Sequence, residues 1–300
     1  MLKDAVKQGA GWIAAGLHAT VGRASVGRTS LGRRAPRSVG VLIYHRVAEL
    51  VAGVPDDRVL NVPPAAFEQQ LTGLRARGCT FVPLREVLAA HATGRFDALP
   101  ERAVVVTFDD IYANVVDNAV PVLRRLEIPA TMFVSTAFVD RTAPFPFDAW
   151  AQAHRAVLPP SAYRPVTRAH LERLHADPRF EIGAHTHTHA TFIDRPDAFE
   201  ADLAENLAWL DRRLGIAAPT FAFPYGRTAF GFAGSALTER AKQLGVACAL
   251  TTDCTLVTAA SDPFDWGRFN AYAWDTPATL DAKLSGWYGW APRLMERLAR

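Results

Sequence analysis

Short, nearly continuous apolar runs alternate along this chain with longer segments in which apolar residues recur every three or four positions. Runs of the first kind occupy 39–44, 104–108, 130–134, 180–184, 221–223 and 246–250, with weaker ones at 81–84 and 268–272. Such runs, rich in Val, Ile and Phe and lacking polar alternation, are read as strands buried on both faces. Segments of the second kind predict helices at 64–78, 84–91, 114–126, 151–157, 168–176, 199–214 and 238–244, and from 279 onward. Pro121 falls inside one of them and predicts a kink or break. Gly215 and Gly245 stop the helices they follow. Strand and helix alternate without a sharp change of composition after residue 37. That predicts one α/β domain over 37–300 with a mainly parallel sheet, either open or closed into a barrel.

The first 36 residues break the pattern. Lys3 and Lys7 precede a short apolar run from Trp12 to Leu17, and a Gly/Ser-rich stretch bearing Arg23, Arg28, Arg33 and Arg34 follows. This reads as a short amphipathic helix and a flexible basic arm. Weak peripheral contact with an anionic membrane through 1–36 is one expectation, and a solvated arm is the other. As an export signal the run is short and interrupted by Gly16, which sets an expectation of a cytoplasmic location, peripheral to the membrane if the arm binds it.

Composition adds exclusions. The 300 residues are 49% hydrophobic and 21% charged, as in ordinary globular proteins, and no stretch has the apolar length needed to span a bilayer. A net charge of +3, with no recognition fingerprint, gives no reason to expect a nucleic-acid partner. Cys79, Cys248 and Cys254 are odd in number and lack metal-type spacing, so buried thiols are expected rather than disulfides.

Candidate chemistry gathers where strands end. The runs at 39–44, 104–108, 180–184 and 221–223 stop at His45, at Asp109 and Asp110, at His185, and at the turn Pro224-Tyr225-Gly226. In parallel sheets the carboxyl ends of strands share one face, where ligands collect. Asp109 and Asp110 point in different directions as neighbours, so they can hold different jobs; capping of the next helix is the plainer alternative. In His185-Thr186-His187-Thr188-His189, the outer histidines are spaced i, i+4. A helical turn would put both imidazoles on one side and direct His187 elsewhere. Two histidines and Asp110 with open positions suit catalytic zinc, although the same facial triad serves iron oxygenases. Asp109 is then free to act as base on the attacking water.

These motifs together resemble the polysaccharide deacetylase family, the carbohydrate esterases with a NodB-like domain. Thr107-Phe108-Asp109-Asp110 matches the family's T-F-D-D, and His185 to His189 matches H-[ST]-x-x-H. Phe221-Ala222-Phe223-Pro224-Tyr225-Gly226 matches F-A-[YF]-P-Y-G, while Tyr44-His45-Arg46-Val47 matches Y-H-x-V, both found in one branch. The resemblance implies a distorted (β/α) barrel of about seven parallel strands and metal-dependent removal of acetyl groups, N-acetyl before O-acetyl, from a polysaccharide or oligosaccharide. It implies a divalent cation, with zinc expected, on Asp110, His185 and His189. It implies Asp109 as base and the Tyr225 N–H as oxyanion donor.

The chain also departs from that pattern. Ile111 stands where the family usually has Gly, so its Cβ either narrows the site or demands an unusual backbone angle. The arginine that orients the base in many members is missing from the third motif, and Arg268 is the expected substitute. No histidine follows His189, so the family's usual late acid is absent. His45 is the expected replacement, with Asp265 and Asp275 as alternatives. These departures keep a second reading open, a carbohydrate-binding relative without turnover. Trp150, Tyr225, Trp266, Trp274 and Trp287 are candidate sugar-stacking aromatics, against the commoner role of core packing.

Overall fold

Val104, Val105 and Val106 lie at the centre of a sheet. In the computed structural model, which describes residues 37–286, they belong to β3 (Ala103–Phe108), whose six residues are all buried. β1 (Ser38–Tyr44) pairs with β3 in parallel over its length, from Val39 opposite Ala103 to Tyr44 opposite Phe108. On the edge of β3 away from β1, β2 (Thr80–Phe81) pairs with its start and β4 (Ala130–Val134) with its end, and β5 (Phe180–Ala184), β6 (Phe221–Ala222) and β7 (Ala249–Leu250) follow in order, all parallel. β8 (Val257–Thr258) joins β1 antiparallel, and β9 (Phe269–Asn270) joins β1 parallel.

One segment closes the ring. The Trp266 N–H donates to Ala249 and its carbonyl accepts from Thr251, both on the β7 side, while the Ala271 N–H, five residues on, donates to Ile43 of β1. The expected mainly parallel, barrel-like sheet is present, with nine strands instead of about seven and one antiparallel pair. Sequence reading missed β8 because a two-residue strand carries no periodicity. The expected strands at 81–84, 246–250 and 268–272 shorten to two residues each, since pairing partners, not apolar content, set where a ladder ends.

Alternation along the strands sorts side chains onto two faces. Val39, Val41, Ala103 and Val105 face one cluster with Phe133, Ala222, Leu250 and Trp266. Leu42, Tyr44, Val104, Val106 and Phe108 face another, packed under α1 (Pro64–Ala76) and further helices. The break expected at Pro121 takes a specific form. A π-helical turn at Val115–Ala119 precedes the α-helix Val120–Arg125, leaving Pro121 in the first turn, where its missing N–H costs nothing. The helix expected at 199–214 spans Pro196–Leu214 (α2 here) and ends on Gly215 at φ 71°. The expectations for residues 1–36 and for Trp287 lie outside the described residues.

Candidate metal and catalytic site

Strand register brings the first residues together. Because Tyr44 pairs with Phe108, the next positions, His45 and Asp109, stand side by side, and the Asp109 N–H still donates to the Tyr44 carbonyl at 2.9 Å. Asp109 has the parity of Val105 and Thr107 and meets Arg268 there. The Arg268 guanidinium donates from both terminal nitrogens to the two Asp109 oxygens, at 2.6 and 2.9 Å, and its Nε donates to the Thr251 carbonyl at 3.0 Å. Thr107 completes the clasp: its hydroxyl donates to Leu42 of β1 and accepts from Arg268. Arg268, the candidate substitute, is thus fully buried against Asp109.

Burial pushes the Asp109 carboxyl up, but the Arg268 guanidinium, and after it His185, outweigh that and hold it at about 2. Its neighbour goes the other way. Burial, and then the charges of Asp109 and Asp148, raise Asp110 well above the ordinary carboxylate range. Two adjacent acids are therefore separated by their partners, and neither caps a helix, which removes the capping alternative.

Asp110 faces the histidines. Its Oδ1 lies 3.5 Å from His185 Nε2 and 3.3 Å from His189 Nε2, and the three donor atoms all lie within 4.8 Å of one another. A tetrahedral site with bonds of about 2.0–2.1 Å has donor–donor edges of about 3.3–3.4 Å, close to these spacings. Asp110 Oδ1 is buried without a hydrogen-bond partner among the described residues, as a ligand atom facing a cation would be. His185 Nδ1–H donates to the Ala222 carbonyl at 2.7 Å, which leaves the Nε2 lone pair directed at the cluster. Burial pushes both imidazoles below their ordinary range, His189 furthest. The spacing of the three atoms, the unpartnered Asp110 Oδ1 and the lowered imidazoles therefore fit a divalent cation.

The way the histidines meet differs from expectation. Residues 185–189 form a bend, not a helical turn, with Thr186 at φ 61° and His189 at φ 54°. The His189 N–H donates to the Thr186 hydroxyl at 3.1 Å, closing a local side-chain turn. His187 does point away, with Nδ1 at 2.9 Å from the Thr136 hydroxyl.

Helix α2 braces this bend through two residues one turn apart. Asp202 accepts from the His187 and Thr188 N–H groups at 2.6 and 3.1 Å. Asn206, fully buried, donates to the Val134 and Thr186 carbonyls at 2.9 and 2.6 Å and to the Thr136 hydroxyl at 3.1 Å. Sequence reading missed both. A polar residue four positions from another on an amphipathic helix reads as surface, and only Asn206 at a core position hinted otherwise.

Ile111 resolves as the second of its alternatives. Its φ is 57°, beside Asp110 at 65°, and its side chain is fully buried in the core, away from the acids. A β-branched residue in the left-handed region is a genuine outlier. The Ile111 carbonyl accepts from Val166 at 3.0 Å, which helps hold the angle. Five of the eight described non-glycine residues with positive φ, namely Asp110, Ile111, Thr186, His189 and Tyr225, lie in the motif loops. Backbone strain is concentrated where the reactive groups are.

The remaining candidates separate. His45 is partly open to solvent beside Asp109; burial, against the pull of Asp109, pushes its imidazole down to about 4. Asp275 accepts from Tyr272 N–H, Thr279 and Lys283, so both its oxygens are engaged in a structural network. The described contacts of Asp265 connect it to its own loop and not to the centre. Trp266 is fully buried core, correcting its candidacy as a sugar platform. Trp274 stacks on Tyr272, and Trp150 donates to the Pro55 carbonyl and covers the Arg46 guanidinium. Tyr225, at φ 61° and 40% exposed, packs edge-on to His189 with centroids 4.8 Å apart. Phe147, unnoticed in sequence, stacks on His189 as well, with ring centroids 3.8 Å apart. Cys79 and Cys248 are buried, as expected of buried thiols, and Cys254 is half-buried.

Behind His45, Arg46 is buried between Asp57 and Asp148 and lies over the Tyr112 ring. Tyr112 donates to Asp148, which caps the helix Ala149–His154 through the Ala151 N–H. This network holds the loop carrying Phe147 against the site.

Comparisons with known proteins bear on the fold and the family. A poly-beta-1,6-N-acetyl-D-glucosamine N-deacetylase of Staphylococcus epidermidis is 26% identical over 62% of this chain and 64% of its own length, so the match spans less than two thirds of that relative. The structure of IcaB from Ammonifex degensii superposes with a TM-score of 0.66 at 25% identity, covering 84% of this chain and 97% of that one. The Streptococcus pyogenes deacetylase PplD, solved in complex with acetate, shares the fold with a TM-score of 0.67 at 20% identity, covering 83% of this chain and 99% of that one. The sequence profile described as polysaccharide deacetylase matches residues 97–249, just over half of the chain, and takes in the acid pair, His185, His189 and the Pro-Tyr-Gly turn. With motifs, fold and profile in agreement, the chain belongs to the polysaccharide deacetylase family.

Proposed function

We propose that this protein hydrolyses N-acetyl groups from a polymer of N-acetylglucosamine, using a divalent cation, zinc by its donor set, held by Asp110, His185 and His189. The observation that carries the reading is the division of the acid pair: one carboxylate faces two histidines, and its neighbour is clasped by a buried arginine. A carbohydrate-binding relative without turnover has no use for a base oriented in this way. The staphylococcal relative and the family support the substrate class.

When bound, the cation lowers the pKa of a coordinated water and polarises the amide carbonyl. Asp109, held ionised by Arg268, takes the water's proton as the oxygen adds to the carbonyl carbon. The Tyr225 N–H donates to the developing oxyanion. His45 starts uncharged at neutral pH, because burial pushes it down to about 4. The proton it gives the leaving nitrogen is therefore the one Asp109 has removed from water and passed across the strand pair. The C–N bond then breaks to acetate and a free amine.

Acetate release from β-1,6-linked N-acetylglucosamine oligomers, chitooligosaccharides, peptidoglycan and acetylated xylan, measured with metal content, tests the proposal. Release confined to N-acetylated glycans and abolished by Asp109→Asn is the expected outcome. His45→Ala should lose at least about 100-fold in turnover with metal retained; metal loss would refute its role as the acid, and activity surviving in Asp109→Asn would refute the base.

A further inference from the structure

A polymer substrate has neighbours on either side of the residue that reacts, and those neighbours must rest on something. The ligand cluster is deeply buried, with His185 1%, Asp110 5% and His189 6% exposed, so only the acetamido group and its own ring can approach it. The adjoining sugars must lie on the surface beside the opening.

An aromatic ledge begins there. Tyr225 touches His189 with its ring edge and packs against Phe232 with centroids 4.9 Å apart and planes inclined by 37°. Phe230 follows at 52% exposure, with the Arg227 guanidinium 6.0 Å from its centroid, and Ile193 borders the group at 39% exposure. The turn that presents these rings is built for that position: Gly231 at φ 80° passes so close to Ile193 that a Cβ would lie 3.3 Å from its Cγ2. The described surface has five exposed large hydrophobic residues, and Ile193, Tyr225 and Phe230 are three of them. Core packing does not account for rings left open to water on a loop.

We infer that Tyr225, Phe230 and Phe232 form a subsite for the sugar next to the reacting residue, whose apolar C–H face lies on these rings. This rests on the glycan reading above and extends it from the acetyl group to chain length. Continuity decides the occupant: the ledge starts at a ligand histidine, so a chain whose acetamido reaches the cluster crosses it. A stable dimer needs about 800 Å² from each partner, far more than four side chains supply.

Kinetics on β-1,6-linked N-acetylglucosamine oligomers, from disaccharide to pentasaccharide, test the inference. The ratio of kcat/KM for the pentasaccharide to that for the disaccharide should fall about 10-fold in Phe230→Ala, through KM, and be restored in Phe230→Trp. Equal losses on both lengths would indicate general damage and overturn the subsite, as would an unchanged ratio. A Phe230→Ala change that abolishes vesicle binding or self-association, with the ratio unaltered, would assign the ledge to a lipid or a second copy instead. Oligomer binding to Asp109→Asn protein, by calorimetry, separates the two readings. If the wild type releases no acetate but tighter binding of the longer oligomer disappears when Phe230→Ala is added, the ledge stands and the deacetylase reading falls. If the oligomers do not bind, the ledge falls too.

Discussion

Arg268 holds Asp109 with both ends of its guanidinium, across 159 residues of sequence and with both side chains out of water. The pair sets the charge of Asp109. With its pKa near 2, Asp109 contributes stability that is present above the ordinary value of 3.8 and lost as pH falls toward 2. Arg268→Gln removes the largest influence opposing burial, so the carboxyl should rise and the acid limb of the kcat/KM profile should move upward by at least about one pH unit. Turnover should fall about 100-fold, and stability by about 3–5 kcal/mol for the abandoned buried charge. An acid limb that does not move would show that Asp109 is not the group it reports.

Ile111 offers a test in which a usual order reverses. Gly is ordinarily less stable than Ala by about 0.5–1 kcal/mol in regular structure. At φ 57° the left-handed backbone costs an L-residue about 1–2 kcal/mol, which Gly escapes. Both substitutions lose the fully buried side chain, worth about 2–3 kcal/mol, so both should be less stable than the wild type. Ile111→Gly should nonetheless unfold at higher denaturant than Ile111→Ala. The opposite order would mean that the backbone relaxes out of the left-handed region once the side chain is gone.

Asn206 touches no donor atom of the cluster but fixes the bend that carries two of them. Asn206→Leu keeps the volume, strands the Thr186 carbonyl and leaves the Val134 carbonyl only the His185 N–H, a loss of about 1–3 kcal/mol in denaturant unfolding. Competition against a chelator should show cation affinity reduced by about 10–100-fold. Unchanged affinity in a destabilised variant would confine Asn206 to folding.

Asp110 gives a pH signature in protein stripped of metal. Its folded pKa is raised, so below 3.8 folded and unfolded states both hold the proton, and stability is lost as pH rises and only the unfolded chain ionises. Asp110→Asn removes that loss. In chelator-treated samples its Tm should exceed that of the wild type at pH 7, and the gap should close near pH 4. Metal should reverse the ranking, because the wild type alone keeps the carboxylate ligand.

Much of this protein follows from local pattern. Val104 to Phe108 and Val39 to Tyr44 are strands because their residues are β-branched or aromatic and offer no polar face. The helix at Pro196–Leu214 ends where only Gly215 accommodates a left-handed cap. The acid pair, the outer histidines and the Pro-Tyr-Gly turn are legible because each stands at the end of such a run.

Tertiary structure decided which residues meet. Parallel register, not sequence spacing, sets His45 beside Asp109, and closure of the sheet through residues 266–271 delivers Arg268 to Asp109. The bend at 185–189, the bracing by Asp202 and Asn206, and Phe147 against His189 arise from contacts between distant segments, which leave no period in the chain. Sequence by itself determined the strands, their chemically capable ends and the family. Packing determined charge and orientation, because a carboxylate takes its pKa from what surrounds it, and Asp109 and Asp110 differ only in their partners.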